Sequence, residues 1–208
     1  MNVIFVLWGK KYTAPELEIL YNKVKQYKPE YNYYCFTDQD IKIDGLNIIP
    51  IPKDLYLQGV WNKLYMFSEQ FPVSGKVWYF DIDIVVKDNP FLEKVEWDKL
   101  SLIYSHHKKI IPNTIGYDVN INSSVMAWDT KNKKIQEIWK RFVNSGYRDY
   151  FLRKYAGIDR YIIHEGFKDL LSFFPSDYTK SHKYDKDANA PIITYEELNF
   201  GLNNWKTN

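Results

Sequence analysis

The chain has 208 residues, 28 of them basic and 26 acidic, so its formal net charge is only +2 at pH 7. This balance excludes the strong overall field with which some proteins bind nucleic acid or acidic membranes. The single cysteine, Cys35, excludes a disulfide framework and a thiolate metal site, which fits a reducing compartment. Without internal repeats or linkers, residues 1–208 predict one α/β domain.

The N-terminal apolar run, residues 3–8, predicts a buried strand. No basic residue precedes it and no small-residue cleavage site follows it, so it does not have the pattern of a signal peptide. No apolar run approaches the roughly 20 residues that a membrane-spanning helix requires. We therefore expect a soluble, cytoplasmic protein.

A glycine turn and a helix follow the first strand. Thr13 suits the N-cap, Pro15 the first turn, and Glu16 completes a capping box. Strand, glycine turn and helix open many nucleotide-binding α/β units, although most such units bind no nucleotide. The second predicted strand, residues 33–36, ends at Thr37 and Asp38. Parallel strands end at the same edge of a sheet, so we expect these two residues to lie beside Tyr12.

Residues 46–51 predict a third strand, and residues 57–67 predict a helix. The apolar face of that helix would contain Val60, Leu64 and Phe67. Lys63 departs from this face near the start of the helix, where a cation does not favour the helix dipole. Taken alone, Lys63 is most simply interpreted as a solvated lysine.

Residues 77–86 form the stretch around which the other predictions are organised. Its uncharged flanks, rich in β-branched and aromatic residues, predict a strand buried on both faces of a sheet. Residues two apart on an extended chain point the same way, so Asp81 and Asp83 would converge. Two carboxylates held so close repel each other unless a cation lies between them. The alternative is a pair of surface acids, but the end of a buried strand is where α/β sheets bind ligands.

Two polar stretches follow the next predicted strand, residues 100–104. The first is a basic tetrad that suits either a solvated loop or a cover for an anionic ligand: His106, His107, Lys108 and Lys109. The second, residues 120–124, offers amide and hydroxyl groups just before the chain enters the core. These groups could hydrogen-bond sugar hydroxyls or, equally, their own backbone.

The C-terminal third carries helical and polar segments. Asp129 is predicted to cap a helix over residues 131–143, whose apolar stripe is typical of core packing. Residues 149–164 predict a further helical segment, in which Asp159 lies beside a run that must be buried. A short strand at residues 171–174 precedes a polar, basic stretch at 175–184. The remainder, to residue 208, is interpreted as a tail along the surface.

The order of these motifs resembles that of the nucleotide-sugar glycosyltransferases of the GT-A fold. The likeness is greatest to the small glycogenin-like and galactosyltransferase-like members of bacteria and of large viruses or phages. It covers roughly the first three quarters of the chain and implies a mostly parallel central sheet flanked by helices. The motifs that carry it are Tyr12, Thr37-Asp38, Trp61-Asn62-Lys63, Tyr79-Phe80-Asp81-Ile82-Asp83, Asn122-Ser123-Ser124 and Gly157-Ile158-Asp159.

The resemblance implies a role for each matching residue. Tyr12, Thr37 and Asp38 match positions that hold the base and ribose of a nucleotide, usually uridine. In the Asp81-Ile82-Asp83 segment, the first aspartate would contact ribose and metal and the second would bind the metal. Basic positions near the donor and its phosphates match Lys63 and Lys183, and the residues that face or hold the transferred sugar match Asn122, Ser123 and Asp159.

Three departures from the family pattern concern the same site. Ser124 stands where the family usually has Gly, and Arg160 where it often has Gln. The usual late His-x-x-Gly-x-x-Lys-Pro-Trp segment is missing, so His182 is the best candidate for the last metal ligand.

The resemblance and the residue types together predict a metal-dependent glycosyltransferase. It would move a sugar from a nucleotide donor, expected to be a UDP-sugar, to a glycan or glycoconjugate, with retention of configuration. Oxygen ligands favour Mg²⁺ or Mn²⁺, and a histidine ligand would favour Mn²⁺. Two alternatives stay open: a nucleotidyltransferase or phosphohydrolase that uses the same aspartates, and a non-catalytic carbohydrate-binding module.

Overall fold

The computed structural model describes residues 1–55, 57, 59–105, 119–144, 146–183, 185 and 189–195. Within them the strands are β1 (Asn2–Leu7), β2 (Asn32–Thr37), β3 (Asn47–Pro50), β4 (Lys76–Phe80), β5 (Ile84–Val86), β6 (Leu100–Tyr104), β7 (Ile121–Asp129), β8 (Leu171–Phe173), β9 (Thr179–Ser181) and β10 (Ile192–Thr194). The α-helices are α1 (Ala14–Lys25), α2 (Lys133–Asn144), α3 (Arg148–Lys154) and α4 (Ile158–His164). Three 3-10 helices cover Lys53–Leu55, Gly59–Phe67 and Lys168–Leu170.

Seven of these strands form a central sheet in the order β3-β2-β1-β4-β7-β6-β8, flanked by helices. β1 pairs with β2, β2 with β3, and β6 with β8 in parallel, whereas β6 and β7 are antiparallel. A second sheet has three strands in the order β5-β10-β9. The predicted α/β class with a mostly parallel central sheet is therefore confirmed.

By its contacts the chain divides into two compact units. The first contains Met1–Lys53, Tyr79–Val95 and Pro175–Asn208. Its helix α1 begins where the capping box predicts, because Glu16 accepts a hydrogen bond from the Thr13 N–H at 2.8 Å. The helix packs against β5, and Tyr21 meets the ring of Tyr33 edge-on at 5.4 Å.

The second unit contains Asp54–Trp78 and Glu96–Phe174. The apolar stripe of α2 is buried as predicted, and Phe142 on it stacks on Trp61 of the 3-10 helix at 5.6 Å. Helix α4 packs against both β7 and this 3-10 helix. The Tyr161 hydroxyl ties α4 to α2 by donating to the Ile138 carbonyl at 2.9 Å.

The structure corrects four predicted elements. The helix expected over residues 57–67 is the 3-10 helix Gly59–Phe67, and Val60 is exposed instead of lying on a buried face. The segment 149–164 is two short helices, because the chain leaves helical geometry before Gly157. Helix α2 begins at Lys133 and not at residue 131. Asn132 is its N-cap, because the Asn132 side chain accepts the Lys134 N–H at 3.0 Å, whereas Asp129 accepts the N–H of Lys131, before the helix.

The fourth correction concerns the predicted surface tail. Ile192–Thr194 is the central strand of the three-stranded sheet, and all three of its residues are buried. Three residues are too few for a strand period to be recognised in the sequence. Residues 196–208 lie outside the described part of the chain, as do the basic tetrad 106–109 and Asp118.

None of the helices described is long and apolar enough to cross a membrane.

Candidate active site

Asp81 and Asp83 lie in a turn between the two sheets. β4 ends at Phe80, the chain turns at residues 82–83, and β5 begins at Ile84. The prediction of one extended strand through both aspartates is therefore wrong. Ile82, which is only 3% exposed, anchors the turn, while the side chain of Asp83 stays 23% exposed. The carboxylates are thus carried by a turn with a buried apolar residue between them.

Each carboxylate accepts a hydrogen bond from a tyrosine. The Tyr79 hydroxyl donates to Asp81, and the Tyr12 hydroxyl donates to Oδ2 of Asp83 at 3.1 Å. The pKa values of Tyr79 and Tyr12 are raised well above the usual value for tyrosine. Burial is the larger cause and the neighbouring carboxylates are the smaller one. Both hydroxyls consequently stay protonated at neutral pH and remain donors to the aspartates.

The three-stranded sheet brings two later segments to the Asp83 end of β5. Ile84 pairs with Thr194, and Thr194 pairs with Ser181. Asp83 precedes Ile84, Tyr195 follows Thr194 and His182 follows Ser181. All three residues therefore lie at one end of this sheet, where adjacent strands are about 4.8 Å apart. The His182 ring stacks on Tyr195 with centroids 4.5 Å apart.

The third metal ligand stays a prediction. Among the residues that the structure describes, no group of three His, Cys, Asp or Glu side chains could hold a metal ion. His182 is exposed next to Lys183, also exposed, in a turn. That turn is closed by Asp185, which accepts the Ser181 N–H at 3.1 Å and donates its own N–H to the Ser181 carbonyl at 2.8 Å.

The loop after β1 and the end of β2 form a cavity of about 430 Å³ in the first unit. Asp38 accepts the N–H of Gly9 with both carboxylate oxygens, at 3.0 and 3.1 Å, and Gln39 donates to the carbonyls of Gly9 and Tyr12 at 2.7 and 2.9 Å. Gly9 has a φ of 63°, which favours glycine. The cavity lining consists of Gly9, Lys10, Tyr12, Thr13, Asp38 and Gln39.

The predicted nucleotide residues have different places around this cavity. Tyr12 and Asp38 line it together, as their positions at the ends of parallel strands predict. Thr37 is only 2% exposed, and its hydroxyl accepts the Gln39 N–H at 3.0 Å. Thr37 thus holds the residue that clamps the loop.

The remaining predicted residues belong to the second unit. Lys63 is only 6% exposed, so its interpretation as a solvated lysine is wrong. Ser123 is buried on β7, and Asn122 accepts the Ser124 N–H at 2.7 Å. Asp159 lies in the first turn of α4. Because α4 packs against β7 and the 3-10 helix, the elements that carry these four residues pack together.

Gly157 sets the close approach of α4 to the 3-10 helix. Its φ is 155°, and a Cβ there would lie 3.2 Å from a methyl of Val60. A side chain there would therefore strain the backbone and crowd Val60.

No protein-family model matches the chain, and neither does any curated protein. Among solved structures it is similar to the galactosyltransferase LgtC, crystallised with donor and acceptor sugar analogues, at 13% identity over 95% of this chain and 87% of that one, with a TM-score of 0.65. The glycosyltransferase GlyE of Streptococcus pneumoniae matches at 16% identity over 94% of this chain, with a TM-score of 0.66. The chain has the fold of these glycosyltransferases. It spans only 55% of the length of GlyE.

This likeness confirms the GT-A fold that the order of motifs predicts. An active-site mutant of LgtC matches similarly, with 16% identity and a TM-score of 0.63. At such low identity the similarity establishes the fold and leaves the roles of individual residues as predictions.

Four residues of the first unit were not predicted as site residues but contact those that were. Tyr79 holds Asp81, Gln39 clamps the Tyr12 loop, Tyr195 stacks on His182, and Lys11 lies near Asp83. Lys11 adjoins a predicted residue in sequence and Tyr79 precedes Asp81 by two, so proximity to a motif was an available signal. Tyr195 gave none, because its strand β10 was not predicted.

Proposed function

We propose that the protein is a metal-dependent glycosyltransferase that moves a sugar from a UDP-sugar to a glycan or glycoconjugate, with retention of configuration. The observation that carries this proposal is the Asp81–Asp83 turn. It presents two carboxylates, already oriented by tyrosines, in the same unit as a cavity lined by Tyr12 and Asp38. The shared fold with glycosyltransferase structures supports the proposal.

The donor set suits a hard divalent ion. Asp81 and Asp83 supply carboxylate oxygens, the preferred ligands of Mg²⁺ and Mn²⁺. Asp83 is partly exposed, so an ion can reach it from solvent. In the proposal these two residues hold the ion, with His182 as the third protein ligand. The bound ion would offset the negative charge of the leaving nucleoside diphosphate.

The first unit would bind the nucleotide. The cavity of about 430 Å³ beside Tyr12 is large enough for a base, and the Tyr12 ring offers an aromatic face for stacking. Asp38 would bind the ribose or the base, and Thr37 would support it from beneath. The exposed Lys183 would then contact the diphosphate, because an ammonium on a flexible stem suits a phosphate group.

The family resemblance suggests roles toward the donor for four further residues, Lys63, Asn122, Ser123 and Asp159. Lys63 would place a charge near the donor, and a buried ammonium interacts more strongly with an anion than an exposed one. Asn122 and Ser123 would hydrogen-bond the sugar. Asp159 would hold sugar hydroxyls, which fits a retaining transfer, where the departing phosphate itself can accept the proton from the acceptor.

A panel of nucleotide sugars, scored by thermal shift with and without Mn²⁺, tests the proposal. We expect a UDP-sugar to raise the melting temperature of the full chain only when Mn²⁺ is present. Stabilisation by free sugars without metal or nucleotide would instead indicate a carbohydrate-binding module. Release of UMP and sugar 1-phosphate, or of inorganic phosphate, in place of UDP would favour a phosphohydrolase.

A further inference from the structure

Lys11 shares its carboxylate partner with Tyr12. Its ammonium lies 3.9 Å from Oδ2 of Asp83, the oxygen that accepts the Tyr12 hydroxyl at 3.1 Å. The same ammonium lies 4.6 Å from the centroid of the Tyr12 ring. A cation over an aromatic face and beside a carboxylate is attracted by both. Lys11 therefore places a positive charge beside the Asp83 carboxylate.

Lys11 and Tyr12 differ in how firmly they are held. Tyr12 packs against the cluster Val85, Ala190 and Ile193, and Gln39 holds its carbonyl. The side chain of Lys11 is 40% exposed and ends a flexible four-carbon stem. Lys11 can therefore leave Asp83 while Tyr12 stays in place.

A divalent ion on Asp83 would bring like charge next to Lys11. Two cations within about 5 Å repel each other strongly in the partly desolvated surroundings of a site. The ammonium would therefore move away from the carboxylate when the ion binds. The diphosphate of a bound donor, next to the same ion, is the nearest new anion that the proposed reaction supplies.

We propose that Lys11 is a positioning residue that neutralises Asp83 before the metal ion arrives and then moves to the diphosphate. This inference rests on the proposed function, because it needs both the ion and the nucleotide. It makes binding of the two ligands interdependent. Lys11 opposes the ion when the ion binds alone and favours the nucleotide once the ion is bound.

Titrations of Mn²⁺ by electron paramagnetic resonance, and of UDP by calorimetry at saturating Mn²⁺, test the inference on the full chain. Lys11→Met keeps the length of the side chain and removes its charge. Since an exposed ion pair is worth up to about fivefold in an equilibrium constant, we expect Mn²⁺ alone to bind about fivefold tighter. UDP should bind about tenfold weaker, because a charge-assisted contact to phosphate is lost.

Lys87→Met is the matched control for loss of charge. Lys87 directly follows β5 and is exposed, so it lies roughly 13 Å along the strand from Asp83. That is beyond the screening length of about 8 Å at physiological salt. We expect the affinities for Mn²⁺ and for UDP to be unchanged in Lys87→Met. Lys11→Arg keeps the charge and should retain part of the UDP affinity that Lys11→Met loses.

Three outcomes separate the inference from the proposed function. If Lys11→Met tightens Mn²⁺ binding and weakens UDP binding while Lys87→Met does neither, the inference stands. If the wild type binds Mn²⁺ and UDP but Lys11→Met matches Lys87→Met, the inference is overturned and the proposed function survives. If the wild type binds no Mn²⁺ even with UDP present, both are overturned.

Discussion

Asp83 and Asn122 both lie in polar stretches beside buried strands, but their side chains are held in opposite ways. Asp83 accepts its hydrogen bond from Tyr12, 71 residues earlier in the chain, and Asp38 binds the N–H of Gly9, 29 residues away. Asn122 instead accepts the N–H of Ser124, two residues further on.

This contrast has a physical meaning. A hydrogen bond between residues far apart in sequence requires the entropy of a long loop to be overcome, so it forms only in the folded chain. A bond across two residues can form in any local turn or irregular strand. The Asp83 carboxylate is therefore oriented by the fold, whereas Asn122 is oriented by its own strand. The bond from Tyr79 to Asp81 also joins residues two apart and is local.

Asp83→Asn should have the largest effect on the fold-oriented turn. The amide keeps an oxygen that can accept from Tyr12 but loses the charge that a cation requires, so we expect Mn²⁺-dependent UDP affinity to fall by at least about 100-fold. Calorimetry with and without Mn²⁺ measures this loss.

Asp88→Asn is the matched control for Asp83→Asn. Asp88 is exposed beyond the other end of β5, and its carboxylate accepts only the local N–H of Asn89 among its described hydrogen bonds. UDP affinity should not change in this variant. Unchanged UDP affinity in Asp83→Asn as well would remove the metal site from the proposal.

Asp159→Asn tests the second unit. If Asp159 holds sugar hydroxyls, kcat should fall about 100-fold, as when one preorganised group is removed, while UDP affinity stays the same. Asp149→Asn is matched to it, since both acids lie in the first turn of a seven-residue helix. NMR of the product from an α-linked donor should show an α linkage. A β product would instead make Asp159 a candidate general base.

Periodicity and turn chemistry predicted two strands, one helix and one buried helix face correctly. β1, β2, α1 and the apolar stripe of α2 lie where apolar spacing and the capping box place them. These signals are local, and the same interactions stabilise the elements in the fold. The ends of β1 and β2 could likewise be placed together, because parallel pairing follows from the strand and helix order.

The features that the sequence did not predict depend on contacts between residues far apart in the chain. Nothing in Ile192–Thr194 alone shows that it pairs with both β5 and β9. The break at Asp81 could not be seen either, since apolar residues flank the aspartates on both sides and the chain changes sheet there. Helical spacing predicted an exposed Lys63, but every residue from Trp61 to Phe67 is buried, so this part of the 3-10 helix has no exposed face.

Tyr12→Phe tests the single hydrogen bond that the Tyr12 hydroxyl donates to Asp83. The ring stays for stacking while the donor to Asp83 is lost, and loss of such an outer hydrogen bond costs about tenfold in metal affinity. We expect Mn²⁺-dependent UDP affinity to fall by that factor while uridine affinity is unchanged. The Tyr33 hydroxyl donates to the Lys28 carbonyl at 2.8 Å, so Tyr33→Phe should lower stability alone. Equal UDP losses in both variants would mean that Tyr12 acts through stability.

Substitution of Asn122 should have the smallest effect. It tests whether a residue that is held by a local hydrogen bond also binds the donor sugar. Asn122→Ala loses the bond to the Ser124 N–H, which should lower the free energy of unfolding by about 1 kcal/mol. Asn122→Asp keeps that acceptor and should keep the stability. Both variants lose the side-chain amide N–H. If this group faces the sugar, KM for the UDP-sugar should rise about fivefold in both, because that is the contribution of one neutral hydrogen bond. Denaturant unfolding and initial-rate kinetics separate the two roles. If only Asn122→Ala is less stable and KM is unchanged in both, Asn122 shapes β7 and does not bind the donor sugar.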